Sequence, residues 1–388
     1  MKILYIHQYF RTPEQGGGLR SYYLSKALVQ AGHQVEMITA YEGDSYYTAC
    51  VEGIKVHYLP IPYSNNFGFS RRVLAFLRYT LQSIWLALKV KGVDLCYITS
   101  TPLTVGLVAL AVKKLKGTPY YFEVRDLWPE GPVQLGFIRN KLLQRLLYTF
   151  ERYIYKQAEK VVALSPGMAR GVRPYVSPGK VAVIPNMADC SFFTSKSPLR
   201  HSLEEPFVVC YTGAIGLANH LEYLLDVAQA CLQHHLPQVQ FLIAGEGAME
   251  DRLKEKAQAL GLHNITWLGY LNKMEIRELL SSAHATYTSF APFPILETNS
   301  PNKFFDSLAA AKLTIVNTKG WLKEMVEEHG CGFYADPQEP ASFVQQLKPY
   351  LAQPCLLVKA QHQARELAKT EFARAILSQR FLDYIEQP

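Results

Sequence analysis

The chain has 388 residues, more than a single hydrophobic core ordinarily serves, so two domains are expected. Apolar residues make up 49% and charged residues 19%, which fits a well-packed soluble protein, and the mild net charge of +7 leaves nucleic acid, anionic lipid or an anionic small molecule open as partner. The seven cysteines are scattered with no CxxC, which excludes a disulfide framework or a zinc cluster and reads as reduced thiols of a cytosolic protein.

The N-terminus MKILYIHQYF lacks the basic, apolar and small-residue order of a signal peptide and reads as a first buried strand over Lys2–Gln8. The Gly-rich stretch Glu14–Gly18 follows, then an amphipathic helix Leu19–Ala31 closing at Gly32, and a strand Gln34–Thr39. That order is a βαβ unit. Strands are predicted at Lys55–Leu59, Leu95–Ile98, Tyr120–Val124, Val161–Leu164 and Val181–Ile184, with helices near 70–91, 102–116 and 139–158. A Ser- and Pro-rich break at Asn186–Pro206 interrupts the rhythm. It restarts with strand Phe207–Tyr211, the loop Gly213–Gly216 and helix Leu221–His234. Strands at Gln240–Ala244, Ile265–Leu268, Ala285–Tyr287 and Thr314–Val316 and an amphipathic helix Ala373–Ile385 complete it. The uncharged runs Leu95–Val112 and Leu279–Leu296 are broken by Pro, Ser and Thr, so neither reads as a membrane span.

Three stretches carry candidate chemistry. Gly16-Gly17-Gly18 lies between a strand and a helix, where backbone amides and the helix dipole can hold an anion; the same pattern also fits a tight turn without a ligand. It is not GxGxxG, and no GxxxxGK[ST] is present, which argues against a nucleotide-triphosphate P-loop. In Ser300-Pro301-Asn302-Lys303-Phe304-Phe305-Asp306, Pro301 marks a helix start, leaving open amides at Ser300–Lys303 and the Lys303 charge for a phosphate. Asp306 falls on the same side one turn on, where a carboxylate can accept both hydroxyls of a ribose; an ordinary helix start with surface charges fits as well. Glu123, Arg125 and Asp126 gather at the end of a buried strand, the usual place for a ligand in an open α/β sheet, and an internal Arg–Asp pair is the alternative.

Together these stretches resemble the retaining GT-B glycosyltransferases of family GT4, over nearly the whole chain. HQYFRTPEQGGGLRSYYLSKALVQAGHQVEMIT is similar to that family's first strand, glycine loop and first helix, and VIPNMADCSFF (183–193) to its interdomain segment. YTGAIG (211–216), FLIAGEGAMEDRL (241–253) and GLHNITWLGY (261–270) resemble its C-terminal strands. Arg125-Asp126-Leu127-Trp128-Pro129 and Ser300-Pro301-Asn302-Lys303 resemble the branch of bacterial N-acetyl-fucosamine-type transferases of surface polysaccharide assembly. The resemblance implies two Rossmann-like domains facing each other across a cleft: residues 1–190 for the acceptor, 191–370 for the sugar-nucleotide donor, and 371–388 as a helix packing back on the first domain.

It further implies that Gly17, Gly18, Gly213 and the Ser300, Asn302 and Lys303 stretch hold the donor diphosphate, that Asp306 holds the ribose, and that Gly245, Gly247 and Tyr270 line the base pocket. Asp126, with Arg125 and Glu123, falls to the reacting centre, and Arg20 and Trp128 to the acceptor loop. The family's donor motif has two acids with seven residues between them. Here the first position is Thr298, and Glu297, one place off, is the candidate substitute. The family's Arg and Lys pair after the Gly213 loop is also not obvious, and Lys303 is the candidate for the missing charge.

The implied reaction is retaining and metal-independent transfer of a hexose or N-acetylated sugar from a nucleotide sugar, UDP-linked by preference, to a glycan or polyprenyl-linked acceptor. No cofactor is expected beyond the donor as co-substrate. No Asp-x-Asp or HExxH is present, so no metal is expected either. A sugar-nucleotide epimerase of the same fold, or a non-catalytic sugar-nucleotide-binding protein, is the alternative. Residues 71–91 carry Arg71, Arg72, Arg78, Lys89 and Lys91 among Leu74, Leu77, Leu81 and Trp85, and 140–156 add Lys141, Arg145 and Arg152. These basic helices predict contact with an anionic membrane surface, on the inner face of the plasma membrane, and leave no need for nucleic acid; packing of the apolar stripe onto the sheet is the alternative.

Overall fold

Buried β-rich runs alternate with amphipathic helices in the computed structural model, which describes residues 1–63, 67–193 and 205–387, the side chain of Phe69 apart. Of the expected break at 186–206, residues 194–204 lie outside the described residues. The chain forms two compact units: Met1–Pro185 together with the residues from Leu377 on, and Asn186–Ile376.

The first unit holds β1 (Lys2–Ile6), β2 (Gln34–Tyr41), β3 (Tyr47–Val51), β4 (Ile54–Pro60), β5 (Leu95–Thr99), β6 (Tyr120–Val124), β7 (Lys160–Ala163) and β8 (Val181–Val183). Its helices are α1 (Arg20–Gln30), α2 (Phe69–Lys89), α3 (Val105–Lys116), α4 (Glu130–Gln134), α5 (Lys141–Gln157) and α6 (Pro166–Val172). The sheet order is β3-β4-β2-β1-β5-β6-β7-β8, parallel throughout except where β3 pairs antiparallel with β4. β3 was not expected: Tyr47–Val51 is largely exposed and lacks the apolar run that marks the other strands, and the turn Glu52-Gly53, with positive φ at both residues, folds it back. The sheet grows outward in both directions from β1, so the order reverses between β1 and β5, which is where open α/β sheets leave a crevice at the strand carboxyl ends.

The second unit repeats the plan with β9 (Phe207–Thr212), β10 (Val239–Ala244), β11 (Ile265–Gly269), β12 (Ala285–Thr288), β13 (Leu313–Val316) and β14 (Gly332–Tyr334). These form a parallel sheet ordered β11-β10-β9-β12-β13-β14, with its reversal between β9 and β12. Its helices are α7 (Glu222–Gln233), α8 (Glu250–Ala259), α9 (Lys273–Ser282), α10 (Asn302–Ala309), α11 (Trp321–Glu328), α12 (Pro340–Ala352) and α13 (Pro354–Leu367). The last helix, α14 (Arg374–Glu386), starts in the second unit, and from Leu377 it belongs to the first, where Phe381 packs edge-on to Tyr97 and the Tyr384 hydroxyl donates to Lys180 O at 2.8 Å.

Each unit has its own core, around Ile6, Tyr79, Ile98 and Phe122 in the first and around Val209, Phe241, Ile315 and Phe343 in the second. Among the described residues no helix is long and apolar enough to cross a membrane.

Close packing on the outer layer of the first sheet depends on a missing side chain. A Cβ on Gly106 of α3 would stand 2.1 Å from Ile154 Cδ1 of α5. Gly106→Ala should therefore destabilise the chain by about 1–3 kcal/mol despite the gain in helix propensity. Adding Ile154→Val, which removes that Cδ1, should restore part of the loss, and urea midpoints of the single and double variants measure both.

Candidate functional site

The carboxyl edge of the first sheet gathers residues from β1, β5, β6 and the start of α1. Glu123, the penultimate residue of β6, is fully buried, and its Oε2 accepts from Arg20 Nε at 2.9 Å and from the Tyr97 hydroxyl at 2.8 Å. Thr99 Oγ1 lies 3.4 Å from Oε1, and Arg20 Nη1 also donates to Pro185 O at 2.5 Å. Burial works against the Arg20 charge, but Glu123 and the Tyr97 and Tyr5 hydroxyls hold it well on. Glu123 and Arg20 were expected at the reacting centre and in the acceptor loop. They are instead a buried ion pair, with the carboxylate already occupied by three donors.

Arg125 does not pair with Asp126. Its Nη1 donates to His7 Nε2 at 3.1 Å, which leaves the hydrogen on Nδ1 to be donated to Ser21 Oγ at 2.8 Å. Burial first, and then the Arg125 and Arg20 charges, push the His7 pKa far down, so the ring is neutral. Asp126 remains exposed at the edge, where its Oδ2 accepts from Thr101 Oγ1 at 3.1 Å. Neighbouring protein strips part of its water and raises its pKa, against the pull of Arg125 and Thr101. Trp128 is half-buried against the core beside Leu127. Gly17 and Gly18 lie just ahead of α1. Gly17 has φ 83° and is exposed, and Arg11 lies beside it. Gln8 is 1% exposed, and neither atom of its amide has a partner.

In the second unit the strand ends of β9, β10 and β11 meet through backbone. Gly245 N donates to Gly269 O at 2.7 Å and Gly213 N to Ala244 O at 2.9 Å. A Cβ on Gly245, at φ 143°, would lie 1.8 Å from Gly213 O, and one on Gly247 would lie 2.3 Å from Ile215 O, so only glycine fits this crossing. Lys303 of α10 reaches the same place. Its Nζ donates to the Tyr211 hydroxyl at 2.7 Å, stands over the Tyr211 ring at 4.0 Å, and would be 3.0 Å from a Cβ on Gly213. Burial without a counter-charge brings its pKa down to about 7. The first-turn amides of Asn302 and Lys303 have no intrahelical acceptor, which leaves them available to an anion. Tyr270, next to Gly269, is 70% exposed.

Asp306 lies one turn along α10, half-buried, beside a second charged group: Asp189 bound to Lys273 at 3.0 Å and to Arg374. Burial, with Asp189 adding and Lys273 opposing, raises the Asp306 pKa to about 7. Ser300 is buried, with its Oγ and carbonyl accepting from Asn186 N at 3.2 Å and Asn186 Nδ2 at 2.6 Å, so its side chain anchors the chain segment ahead of α10. Glu297 lies in the short helical turn Pro294–Thr298. Gly320 packs on its backbone, and its charge is felt by Tyr334 at the end of β14.

The structure thus groups Gly213, Gly245, Gly247 and Lys303, and separately Arg125 and Asp126. His7, Tyr211, Asn186 and Asp189 were missed. All four lie in segments matched to the family, and His7 and Tyr211 also sit at strand carboxyl ends, the one positional signal that could have singled them out. Among the described residues no three His, Cys, Asp or Glu side chains are grouped to hold a metal.

A family model described as a glycosyl transferase 4-like domain matches residues 15–187, and one for glycosyl transferases group 1 matches 192–370. Together these two glycosyltransferase models take in most of the chain. It belongs to the glycosyltransferases. This glycosyltransferase is 26% identical over 278 residues to a subunit of the human phosphatidylinositol N-acetylglucosaminyltransferase, covering 69% of this chain and 53% of the human protein. It thus spans about half the length of that curated relative. Among solved structures, sucrose-phosphate synthase from Thermosynechococcus elongatus superposes with a TM-score of 0.79 at 18% identity, over 100% of this chain and 98% of that one. Anabaena HepE in complex with UDP gives 0.71 at 17%, over 99% of each chain. At these identities the likeness shows the fold.

The buried pair of this glycosyltransferase separates structural from open carboxylates. Glu123→Ala leaves Arg20 buried without its counter-charge and should cost about 3–5 kcal/mol. Asp126→Ala, at an exposed position, should stay within about 0.5 kcal/mol of the parent. Urea midpoints decide; equal losses would contradict the assignment.

Proposed function

We propose that the chain transfers a hexose or an N-acetylated amino or deoxy sugar from a UDP-linked donor to a hydroxyl of a glycan or lipid-linked acceptor, in bacterial polysaccharide or cell-surface biosynthesis. The observation that carries this reading is the glycine and lysine cluster at the β9, β10 and β11 ends. Backbone stripped to glycine lies there beside a desolvated lysine with no acidic partner among the described residues, at the start of a helix. A diphosphate supplies the negative charge that Lys303 lacks, and the α10 amides add to its hold. Asp306 is proposed for the ribose, and exposed Tyr270 for the face of the base. The UDP seen with HepE supports that nucleotide, and the Arg125–Pro129 and Ser300–Lys303 motifs support the N-acetyl-fucosamine-type branch.

The transfer keeps the anomeric configuration. The acceptor oxygen bonds to the anomeric carbon on the face from which the diphosphate leaves. The bond from that carbon to the β-phosphate oxygen breaks, and the released phosphate oxygen takes the acceptor's proton. Asp126 is proposed to orient the acceptor hydroxyl. Charge on the leaving group is held by Lys303 and backbone amides, with no metal called on.

A thermal-shift panel of UDP-, GDP- and dTDP-sugars tests the donor, because a ligand that binds only the native state raises its stability. UDP-N-acetyl sugars should give the largest shift; a larger one with a GDP-sugar overturns the assignment.

The pH dependence of donor affinity is the second check. Lys303, lowered to about 7, loses its charge as pH rises through that value, and Asp306, raised to about 7, loses its own as pH falls through it. Affinity should peak near neutrality. Lys303→Ala should weaken binding and flatten the alkaline limb, and Asp306→Asn should flatten the acid limb, both read by titration calorimetry across pH. An alkaline limb that survives in Lys303→Ala removes the lysine from the site.

A further inference from the structure

We infer that α2, α3 and α5 form one bilayer-docking face whose apolar end lies at the strand carboxyl edge, so that the acceptor is lipid-anchored and its reacting hydroxyl lies close to the membrane plane. The statement about the acceptor rests on the proposed transfer reaction; the docking face stands without it.

The three helices lie side by side, with α3 packed against both neighbours. The inward stripe of α2, with Ala75, Tyr79 and Leu86, is buried in the core. The opposite stripe is also apolar: Leu74, Leu77, Leu81 and Trp85 are 44–66% exposed. A surface helix of a globular protein places polar residues there. The N-terminal half of α5 repeats the pattern, with Leu142 78% exposed and Leu143 and Leu146 also exposed. Phe137 in the loop before α5 and Leu107 on α3 extend the patch.

Charge selects the occupant. Neither α2 nor α3 contains an acid, and the single acid of α5, Glu151, is buried, while Arg71, Arg78, Lys114, Arg145 and Lys156 are exposed. A second copy of this face would be repelled by its own charge. A nucleic acid would answer the charges and leave the leucines in water. An anionic bilayer answers both, through lipid headgroups and acyl chains.

The exposed leucines thin out along the helices, whereas exposed basic side chains stand at both ends, Arg71, Lys141 and Arg145 near the N-termini and Lys89, Lys114 and Lys156 near the C-termini. α2 follows β4 and α3 follows β5, each running back antiparallel to its strand, and α5 comes after α4 and leads into β7, so all three N-termini lie toward the strand carboxyl edge. Leu74, Leu77, Leu107, Phe137, Leu142 and Leu146 stand toward that edge. Trp85, with Lys89 3.4 Å over its ring, and Tyr153 stand toward the other, with Leu115 set between Lys114 and Lys116. Trp, Tyr and Lys are the side chains that settle at headgroup level, whereas Leu and Phe go deeper. The carboxyl edge, where Asp126 is open, therefore sits lower in the interface. The docking helix is tied to that loop: the Tyr148 hydroxyl of α5 and Gln134 Nε2 both bond to Glu130, just after Asp126-Leu127-Trp128-Pro129. A hydroxyl held at Asp126 is then near the lipid surface, as in an acceptor carrying few sugars.

Flotation of the full chain with phosphatidylcholine vesicles, with and without phosphatidylglycerol, tests the face. Binding should need phosphatidylglycerol, weaken with salt, and fall at least about tenfold in Leu142→Ser/Leu146→Ser, equivalent to about 1.4 kcal/mol. The donor thermal shift of that variant should stay unchanged, which shows that it is folded. Absence of vesicle binding, or retention on DNA in its place, overturns the face. For the tilt, an environment-sensitive dye is attached at L142C or Y153C, about three turns apart on α5, with exposed Cys50 and Cys355 replaced by Ser. A larger blue shift at 142 is expected, and an equal or reversed shift overturns the tilt. For the acceptor, turnover of a vesicle-borne sugar should fall as a polyethylene glycol spacer between lipid and sugar is lengthened; turnover that holds or rises overturns the near-membrane acceptor. Vesicle binding with no donor shift from any nucleotide sugar would leave the face intact and sink the transferase reading alone.

Discussion

A charge pair that has no access to water organises the first unit. Arg20 enters from α1, Glu123 from β6, and the Tyr97 hydroxyl from β5, while Pro185 O caps the guanidinium where the unit closes. Removing either charge would leave the other stranded in a low-dielectric interior, so these elements are held in one register. The strand that carries the pair also presents its next residues to the edge. Two positions after Glu123 the chain has left the sheet, and Arg125 and Asp126 emerge there with Ser100 and Thr101 as supports. A buried, satisfied acid thus sets the position of an open one.

The second unit reaches a comparable edge by taking side chains away. Gly245 and Gly247 let backbone approach to distances that any Cβ would block, and Lys303 reaches Gly213 and the Tyr211 hydroxyl beside them. The segment from Asn186 to Asp189 runs beside the start of α10: Asn186 holds Ser300 before the helix, and Asp189, paired with Lys273, adds its charge to the surroundings of Asp306 one turn in. The lysine is costly to bury and gains its full charge only with an anion beside it, which suits a place that binds and releases a diphosphate.

Periodicity alone was enough to find the two parallel sheets, because strands buried on both faces read as uninterrupted apolar runs. Lys2–Ile6 and Tyr120–Val124 are legible in this way, and exposed β3 is not. The strand-end clustering of Glu123, Arg125 and Asp126 was legible as a position but not as a division of labour. Whether a carboxylate is occupied depends on Arg20, more than a hundred residues away, and no local pattern encodes that. The displaced Glu297 illustrates the same limit. It lies in a short helical turn where its charge is felt by Tyr334, a placement that spacing along the chain does not reveal. Nor could helix periodicity show that α2 and α5 are apolar on the side facing away from the sheet, since the same residues would satisfy a buried stripe.

The path of α14 has a consequence for how the chain is made. Phe381 and Tyr384 close the side of the first sheet where Tyr97 and Lys180 O wait for them, yet they are synthesised only after all of Asn186–Ile376. The first unit leaves the ribosome early with an apolar seam still open, and the second can finish while its elder neighbour is incomplete. Order of birth and order of completion are reversed. The first unit, begun at Met1, is complete only once the stretch from Leu377 on has been made.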